Sequence, residues 1–171
     1  VHAALDLMRP HAEAKGLELR SKIADNVPET FVCDAHRLRQ MLLNFVGNAI
    51  KFTPEGSVDL NISLRSDTQT GAQIVFTTRD TGIGIPADIL PKLFNRFAQA
   101  TSQTSNTHGG SGLGLAISRE LATLMNGTID VASAPGVGST FTLALPLADE
   151  VMTKTRAPAP TAAPVPAPAP V

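Results

Sequence analysis

Residues 34–52, DAHRLRQMLLNFVGNAIKF, decide the fold. Leu38, Met41, Leu42, Phe45, Val46, Ala49 and Ile50 recur at three- and four-residue intervals, which on a helix makes one continuous apolar stripe. Asp34 stands where an N-cap carboxylate accepts from the first free backbone N–H groups. Such a helix needs an apolar surface to lie on, and the residues after it supply one. Past the turn TPEG, the runs SVDLNISL and AQIVFTTRD alternate like strands and read as a hairpin joined by the polar loop SDTQTG.

On the N-terminal side, VHAALDLMRPHAEAKG predicts a short or broken helix interrupted at Pro10 and stopped by Gly16, and LELRSKIA alternates like a strand. On the C-terminal side, ADILPKLFNRF predicts a short helical piece broken by Pro91. The stretch AQATSQTSNTHGGSG has no periodicity and predicts a mobile loop. GLGLAISRELATLMNG then predicts a second long helix ending near Gly127, and TIDVAS and STFTLALPL read as two strands around the turn APGVG. One sheet with helices segregated to one face is a two-layer α/β sandwich. No internal repeat is visible.

A chain of 171 residues, 43% hydrophobic and 17% charged, has the make-up of one globular domain, assigned to residues 1–150. TRAPAPTAAPVPAPAPV holds six of the 13 prolines, so residues 155–171 read as a semi-rigid Ala/Pro-rich linker with a neighbour beyond it. The 14 Lys and Arg balance 15 Asp and Glu, which gives no field that would draw nucleic acid or an anionic membrane. No apolar run is long enough for a membrane helix, and Val1 opens no signal-like region. The lone Cys33 matches no metal spacing and fits a reducing compartment. The expectation is a cytoplasmic, monomeric fragment of a longer polypeptide that is itself free to be membrane-anchored.

Four clusters carry chemistry. Asn44, Asn48 and Lys51 fall on one side of the long helix, roughly opposite the apolar stripe. Carboxamide oxygens can ligate Mg²⁺ and a lysine can neutralise phosphate, although a solvated polar face has the same composition. Asp80-Thr81-Gly82-Ile83-Gly84-Ile85-Pro86 follows a strand; its glycines allow close approach by a flat ligand, and its carboxylate can accept from an exocyclic amine. An ordinary strand-to-helix turn is the alternative. In Leu93-Phe94-Asn95-Arg96-Phe97 two rings flank a polar pair, either as a lid hinge or as plain core. Gly109-Gly110-Ser111-Gly112-Leu113-Gly114-Leu115 opens the second helix, where free N–H groups bind anions, yet no Lys-Ser/Thr pair follows as in a P-loop and no strand precedes it as in a Rossmann turn.

In this order and separation, NFVGNAIKF, DTGIGIP, LFNRFAQ and GGSGLGLAI resemble the N, G1, F and G2 boxes of the ATP-binding domain of sensor histidine kinases, within the gyrase, Hsp90, histidine kinase and MutL ATPase superfamily. The resemblance covers about Leu17 to Pro146. It implies a Bergerat-type fold, with a mixed, mostly antiparallel sheet, helices on one face, and a flexible ATP lid over residues 98–110 or so. It implies that Asn48 ligates Mg²⁺ with Asn44 beside it, that Lys51 contacts phosphate, and that these three form the catalytic set. Asp80 would bind the adenine amine, Gly82 and Gly84 would shape the base pocket, and Phe52 would lie against the base. Ile85 and Phe97 join the ATP-binding set. Gly110, Gly112, Leu113, Gly114 and Leu115 would hold the phosphates, and Thr140 in GSTF would assist Asp80.

Two departures bear on chemistry. Where hydrolytic relatives carry a Glu one turn before the metal-binding Asn, this chain has Asn44, and Gln40 a turn earlier cannot take a proton either. That implies phosphoryl transfer from ATP and Mg²⁺ rather than self-sufficient hydrolysis. None of His2, His11, His36 or His108 stands in a phosphoacceptor setting. The implied partners are therefore an upstream helical, His-containing dimerisation domain and a receiver domain or response regulator downstream, as in hybrid kinases. The alternatives are a nucleotide-binding docking module without transfer and a Ser/Thr protein kinase of the same superfamily.

Overall fold

The structure, a computed structural model, describes residues 1–67, 71–95 and 113–147. In chain order they form α1 (His2–Ala14), β1 (Glu18–Ile23), α2 (Ala35–Phe52), β2 (Ser57–Asp67), β3 (Gly71–Asp80), α3 (Gly114–Leu124), β4 (Thr128–Ala134) and β5 (Gly138–Pro146). One five-stranded sheet has the order β1-β2-β3-β5-β4, with β1 parallel to β2 and the other pairs antiparallel. Among the described residues, no helix is long and apolar enough to cross a membrane.

α2 is the helix that its periodicity predicts. All seven stripe residues are buried, and Asp34 Oδ1 accepts from the backbone N–H groups of His36 and Arg37. Those N–H bonds, with Arg37 beside it, hold the exposed Asp34 carboxyl below the usual range. The stripe lies on Val58, Leu60, Ile62, Ile74, Phe76, Leu143 and Leu145, which alternate along β2, β3 and β5. Phe45 stacks on Phe141 at 5.6 Å between ring centroids. The opposite sheet face carries exposed Arg20, Asn61, Arg65, Arg79 and Asp130, so among the described residues the helices lie on one face. Cys33 packs half-buried against this core, which pushes its thiol pKa up.

Three elements differ from their sequence reading. α1 runs unbroken through Pro10. Proline removes the N–H that would bond the Asp6 carbonyl, and both residues are exposed, so solvent can take the place of that N–H. ADILPKLFNRF is no α-helix in its described part, only a 3-10 turn at Leu90–Lys92. α3 ends at Leu124, short of Gly127, because Asn126 takes φ 54° and turns the chain out of the helix. The linker at 155–171 and the glycine-rich loop with Phe97, Gly110 and Gly112 lie outside the described residues.

A contact unforeseen in the sequence closes the C-terminal end of α2. Lys15 Nζ donates to the carbonyls of Ile50 (2.8 Å), Lys51 (2.9 Å) and Thr53 (3.3 Å). A cation there satisfies orphan carbonyls and opposes the negative end of the helix dipole. Thr78 Oγ1, in contrast, is buried with no partner among the described residues. Urea unfolding should therefore find Lys15→Met less stable by about 1–2 kcal/mol and Thr78→Val more stable by about 1 kcal/mol, with the denaturant slope unchanged in both.

Candidate functional site

β3 ends at Asp80, a carboxylate only 5% exposed beneath the C-terminal end of α2. Its Oδ1 accepts two backbone N–H bonds, from Gly82 at 2.9 Å and from Ser139 at 3.2 Å. Both fall on one oxygen, which among the described residues leaves Oδ2 to accept from a ligand. Burial pushes this carboxyl above the ordinary aspartate range, and the two N–H bonds only partly offset that.

The loop after Asp80 is stitched to its neighbours on three sides. Ile83 N donates to Phe52 O at the end of α2, and Thr81 N to Ser57 O at the start of β2. Ile85 N donates to Ser133 Oγ at 2.8 Å, and Ser133 Oγ in turn bonds Gly138 O and Ser139 Oγ. Backbone packs so closely here that side chains do not fit. A β-carbon on Gly82 would strike Phe52 O, and one on Gly84, at φ +70°, would strike Ala134 O.

Thr140 corrects the sequence reading. It pairs with Arg79, on the strand face opposite Asp80, and lines a shallow depression of the open sheet with Asn61 and Thr77. A one-residue step along a strand turns a side chain to the other face. Ser139, buried at 6% exposure, occupies the place beside Asp80 that the sequence reading gave to Thr140. The signal was available: Phe141, Leu143 and Leu145 face the core, so Ser139 shares their side and Thr140 does not.

The rest of the site lies along α2 and at the start of α3. Asn44, Asn48, Lys51 and Phe52 are all half-buried on one flank of α2. Lys51 Nζ lies 4.9 Å over the Phe52 ring, a cation–π contact. Asn44 Nδ2 donates to Ser118 Oγ on α3 at 3.0 Å, and Asn48 Nδ2 to Asn44 Oδ1 at 3.4 Å. Asn48 Oδ1 is then the oxygen turned away from these bonds. α3 starts at Gly114, and the N-cap residue before it makes no side-chain cap bond to the first-turn N–H groups, the end of a helix that attracts anions. Leu113 is its N-cap residue, and Leu115 packs against the core. Asn44 is an amide engaged at both ends, so no general base for water stands at that position.

Residues 33–149 match the family described as histidine kinase-, DNA gyrase B- and HSP90-like ATPases. The chain belongs to this family. Among its relatives is the signal transduction histidine-protein kinase BarA of Escherichia coli K12, 44% identical over 135 residues, which are 79% of this chain and 15% of BarA. The sensor protein GacS of Pseudomonas syringae is 43% identical over 84% of this chain and 16% of its own length. This chain thus spans about a sixth or less of the length of the curated relatives it matches. A crystal structure of full-length ShkA in complex with AMPPNP superposes with TM-score 0.74 at 37% identity, covering 86% of this chain and 29% of that one. The catalytic domain of the histidine kinase ThkA, 24% identical with TM-score 0.70 over 88% of this chain and 91% of that one, shares the fold.

Within this ATPase domain the described site residues of the N, G1 and G2 boxes occupy two places. Asp80, Gly82, Gly84 and Ile85 gather with Phe52 at the C-terminal end of α2, and Asn44 and Asn48 meet Gly114 and Ser118 nearer its middle. Ser118, Ser133, Ser139 and Lys15 escaped the sequence reading, because a serine or lysine signals its role only through what it touches. Ser133→Ala should lower stability by about 1–2 kcal/mol, since Ile85 N loses its acceptor, while Thr140→Val should stay within about 0.5 kcal/mol of the parent in the same unfolding assay.

Proposed function

We propose that this ATPase domain binds Mg-ATP and, as part of a hybrid histidine kinase, delivers the γ-phosphate to a histidine on a separate upstream helical domain. The observation that carries the reading is Asp80, a buried carboxylate with Oδ1 saturated and Oδ2 open. An adenine amine is a partner that such an oxygen discriminates strongly. From Phe52 back to Asn44 is eight residues of α2, about 12 Å along its axis. That spacing is of the order of an extended nucleoside triphosphate, with the base at Asp80 and the phosphates toward Asn48 and the start of α3.

The donor set fits a metal that arrives with its nucleotide. Among the described residues no group of His, Cys, Asp and Glu can cage an ion, and Asn48 offers one neutral oxygen. Mg²⁺ tolerates that arrangement, because phosphates and water complete its shell. When bound, Mg²⁺ neutralises phosphate charge and orients the γ-phosphoryl group. The chain's own part is positioning: Asp80 fixes the base, Asn48 the metal side, Lys51 lies in reach of phosphate, and the α3 N–H groups face the anion. The imidazole nitrogen then bonds the γ-phosphorus as the bond to the ADP oxygen breaks. Asn44 in place of an acid keeps water from competing. BarA, a histidine-protein kinase by name, supports this reading over a docking module.

Titration calorimetry with Mg-ATP tests the binding half. The parent should bind, and Asp80→Asn should lose about tenfold to a hundredfold in affinity while remaining folded. Incubated with radiolabelled ATP and the helical domain of its full-length polypeptide, the domain should label a histidine with phosphate lost in acid and kept in alkali. No nucleotide binding by the parent overturns the proposal, and binding without label leaves the docking module.

The raised Asp80 pKa adds a pH dependence of fixed sign. Oδ2 accepts only when ionised, so nucleotide affinity should fall on acidification, beginning above the pH at which an ordinary aspartate titrates. Stability runs the other way for this group. Its folded pKa exceeds the unfolded value, so its contribution is fully present below the unfolded pKa and is lost as pH rises through the folded one. Asp80→Asn should accordingly gain in stability relative to the parent between acid and neutral pH, read by thermal unfolding across that range.

A further inference from the structure

α2 and α3 meet through a polar contact that lies partly outside the four sequence boxes. Gly114 opens α3 and Ser118 follows one turn later, so both face the same way. The carboxamide of Asn44 lies against Gly114, where a β-carbon would collide with Oδ1 and sit 3.0 Å from Cγ. Asn44 Nδ2 donates to Ser118 Oγ at 3.0 Å, and Ser118 is 1% exposed. One turn along α2, Asn48 Nδ2 donates to Asn44 Oδ1 at 3.4 Å.

A carboxamide has a donor end and an acceptor end, so each bond in this chain sets the next. With Ser118 Oγ receiving Asn44 Nδ2, Asn44 presents its oxygen to Asn48. Asn48 then spends its donor end inward and turns its oxygen outward. The opposite turn of Asn48 would present an NH₂ group, which cannot ligate a cation. We propose that Ser118 is a positioning residue, which through Asn44 sets the Asn48 carboxamide with its oxygen toward the metal of the bound nucleotide. The same contact seats the start of α3, so the metal ligand and the anion-facing N–H groups are placed together. The inference rests on the reading of Asn48 as the Mg²⁺ ligand.

Two measurements test it. In the nucleotide-free protein, the side-chain NH₂ groups of Asn44 and Asn48 should exchange slowly with solvent by NMR. Ser118→Ala should speed both, with exposed Asn61 and Asn126 as internal references. In calorimetry with ADP, the gain in affinity on adding MgCl₂ should vanish in Asn48→Ala and fall about tenfold in Ser118→Ala, well beyond any change in metal-free affinity. A merely structural serine would weaken both affinities together, and that result overturns the proposal. So do unchanged amide exchange, or a Mg²⁺ gain that is lost in Asn48→Ala and kept in Ser118→Ala, while the proposed function stands. A parent that binds no ADP overturns both. If Ser118→Ala does not fold, Ser118→Cys, similar in size but a much weaker acceptor, takes its place with the same expected outcomes.

Discussion

Burial of seven apolar side chains of α2 against the sheet fixes the depth and rotation of one helix, and with them the candidate site. At about 1.5–3 kcal/mol for each buried side chain, that contact contributes roughly 10–20 kcal/mol before entropy is counted. Single hydrogen bonds in the site are worth about 1 kcal/mol. Burial therefore sets the frame and the polar contacts adjust within it. Because the stripe rotates α2 to one angle, Asn44, Asn48 and Lys51 come out on the flank beside it, and Phe52 ends the helix over the loop after Asp80. Lys15 holds that same end by its carbonyls.

Asp80 shows the opposite balance, a polar group held where solvent is scarce. Its burial raises the carboxyl pKa, and the N–H groups of Gly82 and Ser139 return part of what desolvation costs. The remaining tension is useful: a ligand amine at Oδ2 would supply a hydrogen bond that water is poorly placed to give. The glycines around it serve the same geometry, since Gly82 and Gly84 let the loop touch Phe52 and Ala134 by backbone alone.

Periodicity made α2 and the strand faces legible, because burial writes itself into spacing: all seven stripe residues of α2 are in the core. The order of the boxes points to a candidate site on α2, the Asp80 loop and the start of α3. Legibility failed where the cause was a contact rather than a pattern. Pro10 predicts a break, yet α1 continues with Pro10 and Asp6 both on its exposed side, where solvent can replace the lost N–H. Thr140 and Ser139 are equally polar neighbours, and only strand register separates the one beside Asp80 from the one beneath the open face. Ser118 looks like any serine in a helix until Asn44 is seen to donate to it.

The most direct measurement is a crystal structure of this chain with Mg²⁺ and a non-hydrolysable ATP analogue. The account predicts the adenine amine on Asp80 Oδ2, with Ser139 N still on Oδ1, and the metal on Asn48 Oδ1 with Asn44 still bound to Ser118. A nucleotide seated elsewhere, or one whose base leaves Asp80 without a ligand partner, would contradict it.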